Sequence, residues 1–261
     1  MEPYKWVAIQ AARKAGILLK SRLGRKRKVA YKGAVNLVTE MDIFAEKIIV
    51  GEIQKCFPDH AVLAEERTAM EKASRFRWII DPLDGTTNYA HGFPIFSVSI
   101  ALAEDEEVIL GVVYDPTRDE LFTAEKGKGV WLNGLKIRVS PEKNLSRSLL
   151  ATGFPYDLRE SKINNFDHFH NFAVRAQAVR RAGSAALDLC YVAAGRFDGF
   201  WEMKLAPWDI AAGSLMVAEA GGKVTNFLGK PLRLSGKHVL ASNGKIHKAM
   251  LGVVKLGKFL K

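Results

Sequence analysis

The stretch between residues 61 and 139 constrains the fold most strongly, because short apolar runs alternate there with turn residues. The predicted strands cover residues 61–64, 76–80, 93–103, 108–114 and 121–124. An Asn-Gly pair at 133–134, with apolar residues on both sides, is the signal of a two-residue hairpin loop. This succession predicts a mainly antiparallel sheet in the first half of the chain.

Two helices are predicted ahead of this sheet. Apolar residues recur at three- and four-residue spacing over residues 8–19, and Gly24 follows at the position of a C-terminal cap. Thr39 and Asp42 have the spacing of a capping box before a second helical pattern, which Pro58 ends.

The pattern changes after residues 140–141, a Ser-Pro pair, where predicted strands begin to alternate with helices. The strands are predicted at 148–152, 197–201 and 239–242, and the helices at 162–174, 184–195 and 209–220. Such alternation is typical of an α/β arrangement with some parallel pairing. We therefore expect an N-terminal helix-plus-antiparallel-sheet domain over 1–140 and a C-terminal α/β domain over 141–261.

Composition excludes several classes of protein. Hydrophobic residues make up 48% of the chain and charged residues 26%, as in an ordinary globular protein. The only cysteines, Cys56 and Cys190, form no CxxC pair, so neither a disulfide framework nor a thiolate zinc site is expected. The N-terminus has no apolar run of signal-peptide length, and the apolar part of the charge-free stretch, 93–103, is too short to span a bilayer. These features predict a cytoplasmic protein without a membrane partner.

The net charge of +11 favours anionic partners such as phosphorylated metabolites, nucleic acid or an anionic membrane surface. Six Lys and Arg residues crowd residues 20–28. They either solvate the end of the first helix, where cations are favourable, or form a footprint for nucleic acid. No aromatic residue interleaves them, so we expect only weak, nonspecific nucleic-acid binding.

The most informative motif is Asp-Pro-Leu-Asp-Gly-Thr-Thr-Asn, which starts at Asp81 directly after a predicted strand. It can direct the carboxylates of Asp81 and Asp84 into one space that the backbone amides of Gly85 and Thr86 also face. Carboxylates beside phosphate-binding amides need a cation between them, and with Glu65 they form a set of oxygen ligands that suits Mg²⁺. The motif outlines a phosphoryl-transfer site, unless both aspartates are ordinary turn formers.

The spacing of the two aspartates also separates this motif from that of haloacid-dehalogenase-type phosphatases, whose two aspartates are one residue closer together. The extra residue turns the second carboxylate to the other side of the strand. A metal-activated water is therefore a better nucleophile here than an aspartate.

Four segments together resemble the inositol monophosphatase family of Mg²⁺-dependent, lithium-sensitive phosphatases over nearly the whole chain. They are Ala-Glu-Glu at 64–66, the motif at 81–88, Arg-Ala-Gly-Ser-Ala-Ala at 181–186, and Pro-Trp-Asp-Ile-Ala-Ala-Gly at 207–213 with Glu-Ala-Gly-Gly at 219–222. The resemblance implies the layered αβαβα sandwich of this family and of sugar phosphatases. It also implies an active site between the two domains and a homodimer.

The resemblance implies a role for each acidic residue. Glu65, Asp81 and the Leu83 carbonyl would bind one metal ion, and Asp81, Asp84 and Asp209 a second, within a total of two or three Mg²⁺ ions. Asp209 also suits the N-cap of the helix that follows it.

Thr86 would orient the attacking water with support from Asp42, and Glu65 would help to activate that water. Asp42 could instead act only in the capping box of the second helix.

The residues that the resemblance implies for substrate contact are Leu83, Asp84, Gly85, Thr86, Gly183, Ser184, Ala185, Glu202 and Asp209. Ser184 could be only an N-cap, and Glu202 only a solvated charge at a strand edge. Ala206 stands where family members have a larger polar residue, which leaves the substrate open.

The expected function is hydrolysis of a phosphomonoester, foremost inositol 1-monophosphate, by a metal-activated water that attacks the phosphate in line. Fructose 1,6-bisphosphate, histidinol phosphate, other sugar phosphates and 3'-phosphorylated nucleotides are alternatives within the family. A different class of function is a nucleic-acid or ribonucleoprotein binder that uses the basic surface and has secondary phosphatase activity.

Overall fold

The computed structural model describes residues 1–24, 29–31 and 37–258, so Arg25 to Lys28 of the basic run lie outside it. The helices in these ranges are α1 (Glu2–Arg22), α2 (Glu40–Cys56), α3 (Thr86–Ala90), α4 (Phe166–Ala173), α5 (Ala185–Ala193), α6 (Pro207–Glu219) and α7 (His247–Val254). In the described ranges, no helix is both long and apolar enough to cross a membrane.

The first half of the chain forms a small hairpin and a large sheet. The hairpin pairs β1 (Val29–Tyr31) with β2 (Leu37–Thr39). The large sheet contains β3 (Ala61–Ala64), β4 (Ala69–Met70), β5 (Phe76–Asp84), β6 (Ser97–Glu104), β7 (Glu107–Asp115), β8 (Glu120–Glu125), β9 (Gly129–Leu132) and β10 (Leu135–Lys136). Its order is β10-β9-β8-β7-β6-β5-β3-β4, and only β3 and β5 pair in parallel. The predicted antiparallel sheet and the Asn-Gly hairpin between β9 and β10 are therefore confirmed.

The second half forms a five-stranded sheet of order β12-β11-β13-β15-β14. Its strands are β11 (Leu149–Thr152), β12 (Ala178–Arg180), β13 (Gly199–Met203), β14 (Lys223–Thr225) and β15 (His238–Ser242). β11 runs parallel to both of its neighbours, whereas the other pairs are antiparallel. The predicted mixture of α/β alternation and some parallel pairing is confirmed.

The helices and sheets stack in five layers. α1 and α2 cover one face of the large sheet, α5 and α6 fill the space between the two sheets, and α4 and α7 cover the outer face of the small sheet. This is the predicted αβαβα sandwich. One hydrophobic cluster joins α5 and α6 to strands of both sheets, and the domain boundary at residue 140 stays a prediction.

Both faces of the large sheet are buried under helices, which explains why its strands are continuously apolar. On β5, Trp78 and Ile80 pack with α1 and α2, while Ile79 between them packs with α5 and α6. The middle layer lies very close to the sheet, since a Cβ atom on Gly111 of β7 would lie 3.0 Å from the carbonyl oxygen of Ala212 in α6. This close packing holds α6 directly against β7.

Candidate active site

A bulge at the end of β5 orients the two aspartates of the central motif. Asp81 pairs with Ser99 and Asp84 with Ser97, so a three-residue step on β5 lies opposite a two-residue step on β6. A bulge of this kind redirects side chains at the end of a strand. The strand therefore continues beyond its predicted end at Ile80, as far as Asp84. The Asp81 carboxylate stabilises the bulge by accepting a 2.9 Å hydrogen bond from the backbone N–H of Leu83.

Asp84 connects the bulge to the start of α5. Its buried carboxylate accepts hydrogen bonds from the Ser184 hydroxyl at 2.6 Å and from the Ala186 backbone N–H at 2.8 Å. Burial raises the pKa of Asp84 to about 6, against the opposing effect of the hydrogen bond from Ser184. Ser184 is also the N-cap of α5, where its hydroxyl accepts from the Leu187 N–H. The predicted cap is confirmed, and the same hydroxyl donates to Asp84.

Asp209 lies at the third position of α6 rather than at its N-cap. Ala206 is the N-cap, and the helix begins at Pro207. Proline suits this first position because its nitrogen has no hydrogen that would need an acceptor. The prediction of an N-cap role for Asp209 is therefore wrong. Its carboxylate instead accepts a 2.7 Å hydrogen bond from the backbone N–H of Ala206.

The acidic residues expected to bind metal are near enough to influence one another. Burial raises the pKa of Asp81 well above its usual range, and the charges of Glu65, Asp84 and Asp209 raise it further. Burial and the charge of Asp84 raise the pKa of Asp209 in the same direction. Within the described ranges, no three His, Cys, Asp or Glu side chains are already arranged as a metal site. We therefore define the acidic cluster as the carboxylates whose negative charges raise one another's pKa, namely Glu65, Asp81, Asp84 and Asp209.

Glu46 of α2 holds the loop that contains Glu65. Its carboxylate is 3% exposed and accepts hydrogen bonds from the N–H groups of Glu66 at 2.8 Å and Arg67 at 3.1 Å, and from the Thr68 hydroxyl at 2.7 Å. The sequence pattern alone did not reveal a role for Glu46. An acidic residue on the apolar face of the second helix was the available signal.

Thr86 and Asp42 lie together, as the resemblance implied. The Thr86 hydroxyl is 2.9 Å from a carboxylate oxygen of Asp42 and 3.0 Å from the Leu83 carbonyl oxygen. Both side chains are buried. Because the hydroxyl has a single hydrogen to donate to these acceptors, its lone pairs remain available. The side chain of Thr39 lies outside the described residues, so the capping box stays a prediction.

Two close approaches join the loops from the two halves of the chain. Gly85 has a φ of +97°, and a Cβ atom there would lie 3.1 Å from the Gly183 carbonyl oxygen. The Asn88 side chain donates 2.8 Å hydrogen bonds to the carbonyl oxygens of Ile95 and Ala182. The role of Asn88 was not predicted, because hydrogen bonds to distant backbone leave no pattern in the sequence.

A pocket of about 200 Å³ opens beside Asp84. The predicted substrate residues that line it are Asp84, Gly85, Gly183, Ser184, Ala185, Glu202 and Asp209. Leu83 and Thr86 are buried behind this lining, at 1% and 7% exposure. A larger pocket of about 680 Å³ lies along α6 and the 231–235 loop, but none of the predicted site residues lines it.

Glu202 belongs to β13, the central strand of the five-stranded sheet, and is therefore not the solvated edge charge that we considered as an alternative. Burial, followed by the charges of Asp209 and Asp84, raises its pKa well above the usual range. Its carboxylate packs against the backbone of Gly153, where any side chain would overlap it. The glycine thus leaves room for this carboxylate at the pocket.

The chain is similar to known proteins over nearly its whole length. The inositol monophosphatase family matches residues 1–255. The chain is 46% identical to an inositol-1-monophosphatase of Synechocystis sp., over 94% of this chain and 86% of that protein. It is 44% identical to the Nus factor SuhB of Pseudomonas aeruginosa, over 98% and 97%.

Among solved structures, the inositol monophosphatase from Anabaena superposes with a TM-score of 0.90 at 42% identity, over 97% of this chain and 96% of that chain. The family match over residues 1–255 includes both sheets and every described residue that lines the pocket. The chain belongs to the inositol monophosphatase family.

Proposed function

We propose that the protein is a Mg²⁺-dependent phosphomonoesterase that hydrolyses the monophosphate of a polyol, foremost inositol 1-monophosphate. The observation that supports this most strongly is the hydrogen-bonded position of Asp84. Its carboxylate joins the acidic end of β5 to the start of α5, directly beside a small pocket. A phosphate held there would lie between the acidic cluster and the pocket that receives the alcohol.

The donor set fits Mg²⁺, which prefers carboxylate and carbonyl oxygens and keeps part of its water shell. In this proposal, Glu65, Asp81 and the Leu83 carbonyl hold one ion, and Asp81, Asp84 and Asp209 hold a second, within a total of two or three. Buried carboxylates that raise one another's pKa need such positive charge to stay ionised at neutral pH. Bound Mg²⁺ would lower the pKa of a water molecule and neutralise phosphate charge.

Thr86 and Asp42 would orient the attacking water. The hydroxyl of Thr86 donates toward Asp42, which leaves its lone pairs to accept a hydrogen bond from water. Glu65, held on its loop by Glu46, would help to activate the same water. No covalent bond to the enzyme is required in this mechanism.

The pocket lining favours a neutral polyol over a bisphosphate. Four acidic residues line it, Asp84, Asp188, Glu202 and Asp209, against one basic residue, Arg181. A second phosphate on the alcohol would face this excess of carboxylates and be repelled. Hydroxyl groups, in contrast, donate hydrogen bonds to carboxylates. Gly183 and Ala185 line the same pocket, so their backbone would also lie beside the alcohol.

Phosphate release from a panel of substrates tests the proposal. The panel contains inositol 1-phosphate, fructose 1,6-bisphosphate and histidinol phosphate, each with and without Mg²⁺. We expect the highest kcat/KM for inositol 1-phosphate, no turnover without Mg²⁺, and loss of turnover in Asp84→Asn. Preference for fructose 1,6-bisphosphate or histidinol phosphate, or full activity of Asp84→Asn, would contradict it.

We also propose a homodimer in the cytoplasm. Aromatic side chains cluster beside the pocket, where Phe93 and Phe166 are 50% and 52% exposed and the rings of Phe154 and Phe166 are 5.2 Å apart. A second copy of the chain would bury this apolar surface. Analytical ultracentrifugation should give a dimer for the wild type and a monomer for Phe166→Glu, whereas a wild-type monomer would contradict the proposal.

Weak, nonspecific binding of nucleic acid is a second proposal. The net charge of +11 supports it, as does the name of the Pseudomonas relative, a Nus factor. RNA binding should weaken steeply with salt, by about 0.7 to 0.9 in log K per phosphate contact for each tenfold rise in salt. A variant with Arg25, Lys26, Arg27 and Lys28 neutralised should lose this dependence of RNA affinity on salt. Binding by the variant equal to that of the wild type would contradict this role.

A further inference from the structure

Asp188 is a buried carboxylate on the wall of the pocket that the proposed mechanism does not use. It is 1% exposed and lies in the first turn of α5, between Ser184 at the N-cap and the apolar remainder of the helix. It lines the same pocket as Ser184 and Glu202. The protein offers no hydrogen-bond partner to its Oδ1 atom within the described ranges.

A buried acceptor without a partner destabilises a fold, so an aspartate at this place needs a reason. The other residues of α5 are apolar and buried. The start of the helix favours a negative charge, which makes Asp188 tolerable there. The start of the helix does not, however, donate a hydrogen bond to Oδ1 of Asp188. Because Asp188 is among the residues that line the pocket, the remaining candidate donor to its carboxylate is a hydroxyl of a ligand bound there.

The second carboxylate at this end of the pocket, Glu202, is held on a rigid support. Asn165, which is 1% exposed, donates hydrogen bonds to the Thr152 hydroxyl at 2.9 Å and to the Gly153 carbonyl oxygen at 2.6 Å. It also accepts a 2.8 Å hydrogen bond from the indole N–H of Trp201, the neighbour of Glu202 on β13. This network fixes the end of β11 against β13, and with it the place of the Glu202 carboxylate.

We propose that Asp188 is a specificity-determining residue that accepts a hydrogen bond from a hydroxyl of the substrate's alcohol. A second hydroxyl of the same alcohol then donates a hydrogen bond to Glu202. Two acceptors on rigid elements, α5 and β13, then select an alcohol with at least two suitably spaced hydroxyls. This inference rests on the proposed phosphomonoesterase function and names the feature of the alcohol that the site reads.

Two substrates separate this role from a structural one. Inositol 1-phosphate has hydroxyls next to the ester, whereas phenyl phosphate has none. Asp188→Ala should raise KM for inositol 1-phosphate by about twofold to tenfold, the effect of losing one hydrogen bond. Its kcat should stay within twofold, as for an interaction present in both ground and transition states. Both constants for phenyl phosphate should be unchanged.

Asp188→Asn keeps one acceptor oxygen and should restore part of the lost affinity. Cys190→Ala serves as the matched control, because Cys190 is buried on the same helix and contacts Met216 of α6 rather than the pocket. It should leave both substrates unaffected. Equal loss for the two substrates in Asp188→Ala, or no change for inositol 1-phosphate, would overturn the inference. If the wild type hydrolyses neither substrate, that result would instead overturn the proposed function, and the inference with it.

Discussion

The hydroxyl of Ser184 donates a 2.6 Å hydrogen bond to the carboxylate of Asp84, which lies 100 residues earlier in the chain. The bulged end of β5 and the first turn of α5 therefore meet at one buried carboxylate. Because the same hydroxyl caps α5, the start of the helix and the orientation of a proposed metal ligand depend on one atom.

Replacing Ser184 should therefore affect stability and activity together. Ser184→Ala should destabilise the protein by about 1 kcal/mol through loss of the cap. It should also lower kcat, since Asp84 loses a donor that favours its charged form. Ser184→Thr keeps the hydroxyl and should be close to wild type in calorimetry and in turnover. An alanine variant with normal melting temperature and kcat would show that the hydrogen bond has neither role.

Thr86→Val should lower kcat by about 100-fold to 10,000-fold, which is the usual effect of losing a group that assists proton transfer. KM should change little, because Thr86 lies behind the lining of the pocket. Thr86→Ser serves as the control and should retain most of the activity. Steady-state kinetics in which serine and valine variants behave alike would remove the hydroxyl from the mechanism.

Removal of Mg²⁺ with a chelator should abolish phosphate release, and added Mg²⁺ should restore it. Without a cation, the carboxylates of Asp81, Asp84 and Asp209 repel each other and the phosphate. Li⁺ should inhibit the Mg²⁺-loaded enzyme by taking the second ion's place, with uncompetitive or noncompetitive kinetics. Turnover that persists in excess chelator would contradict the metal mechanism. Turnover indifferent to Li⁺ would contradict only the lithium site.

Glu46→Gln should weaken activation by Mg²⁺ without abolishing catalysis. The variant loses the charged acceptor that holds the backbone of Glu66 and Arg67, so Glu65 becomes less well placed. We expect a several-fold higher Mg²⁺ concentration at half-maximal activity and a similar kcat at saturation. Glu52→Gln is the matched control, because Glu52 lies on the same helix and pairs with Lys14 at the surface. Equal Mg²⁺ curves for the two variants would refute the role of Glu46.

Acid should destabilise the protein through His247. Burial lowers the pKa of His247 to about 4, while its ring nitrogens contact the hydroxyls of Thr225 and Ser242. Between pH 6.5 and 4 the unfolded chain takes up a proton that the folded protein does not, so the free energy of unfolding falls as pH is lowered through this range. His247→Gln should flatten this part of the pH profile in denaturant titrations, whereas His91→Gln, at an exposed position, should not. Parallel profiles for His247→Gln and the wild type would contradict the assignment.

The long elements could be predicted from the sequence because each has many residues over which a period shows. α1, α2, α5 and α6 lie close to their predicted positions. β12 and β14 were missed because three residues are too few to show alternation. α7 was missed because its short apolar pattern follows a turn signal at 243–244.

The candidate site was predictable only in part. Its acidic residues and the pairing of Thr86 with Asp42 followed from the family resemblance, and the spacing of Asp81 and Asp84 suggested a shared pocket. The contacts that hold these residues, from Ser184, Asn88 and Glu46, join distant parts of the chain or reach backbone atoms. No local pattern reports such pairs. Asp188 was missed because one acid in an apolar helix has no motif.

One of the two outer layers, α4 and α7, provides none of the residues that line the pocket in the described part of the chain. Substitutions on its solvent side therefore leave the pocket lining unchanged. Relatives at 44% and 46% identity are named as a Nus factor and as an inositol-1-monophosphatase. A scaffold of this kind offers an exterior on which residues can change while the pocket stays the same.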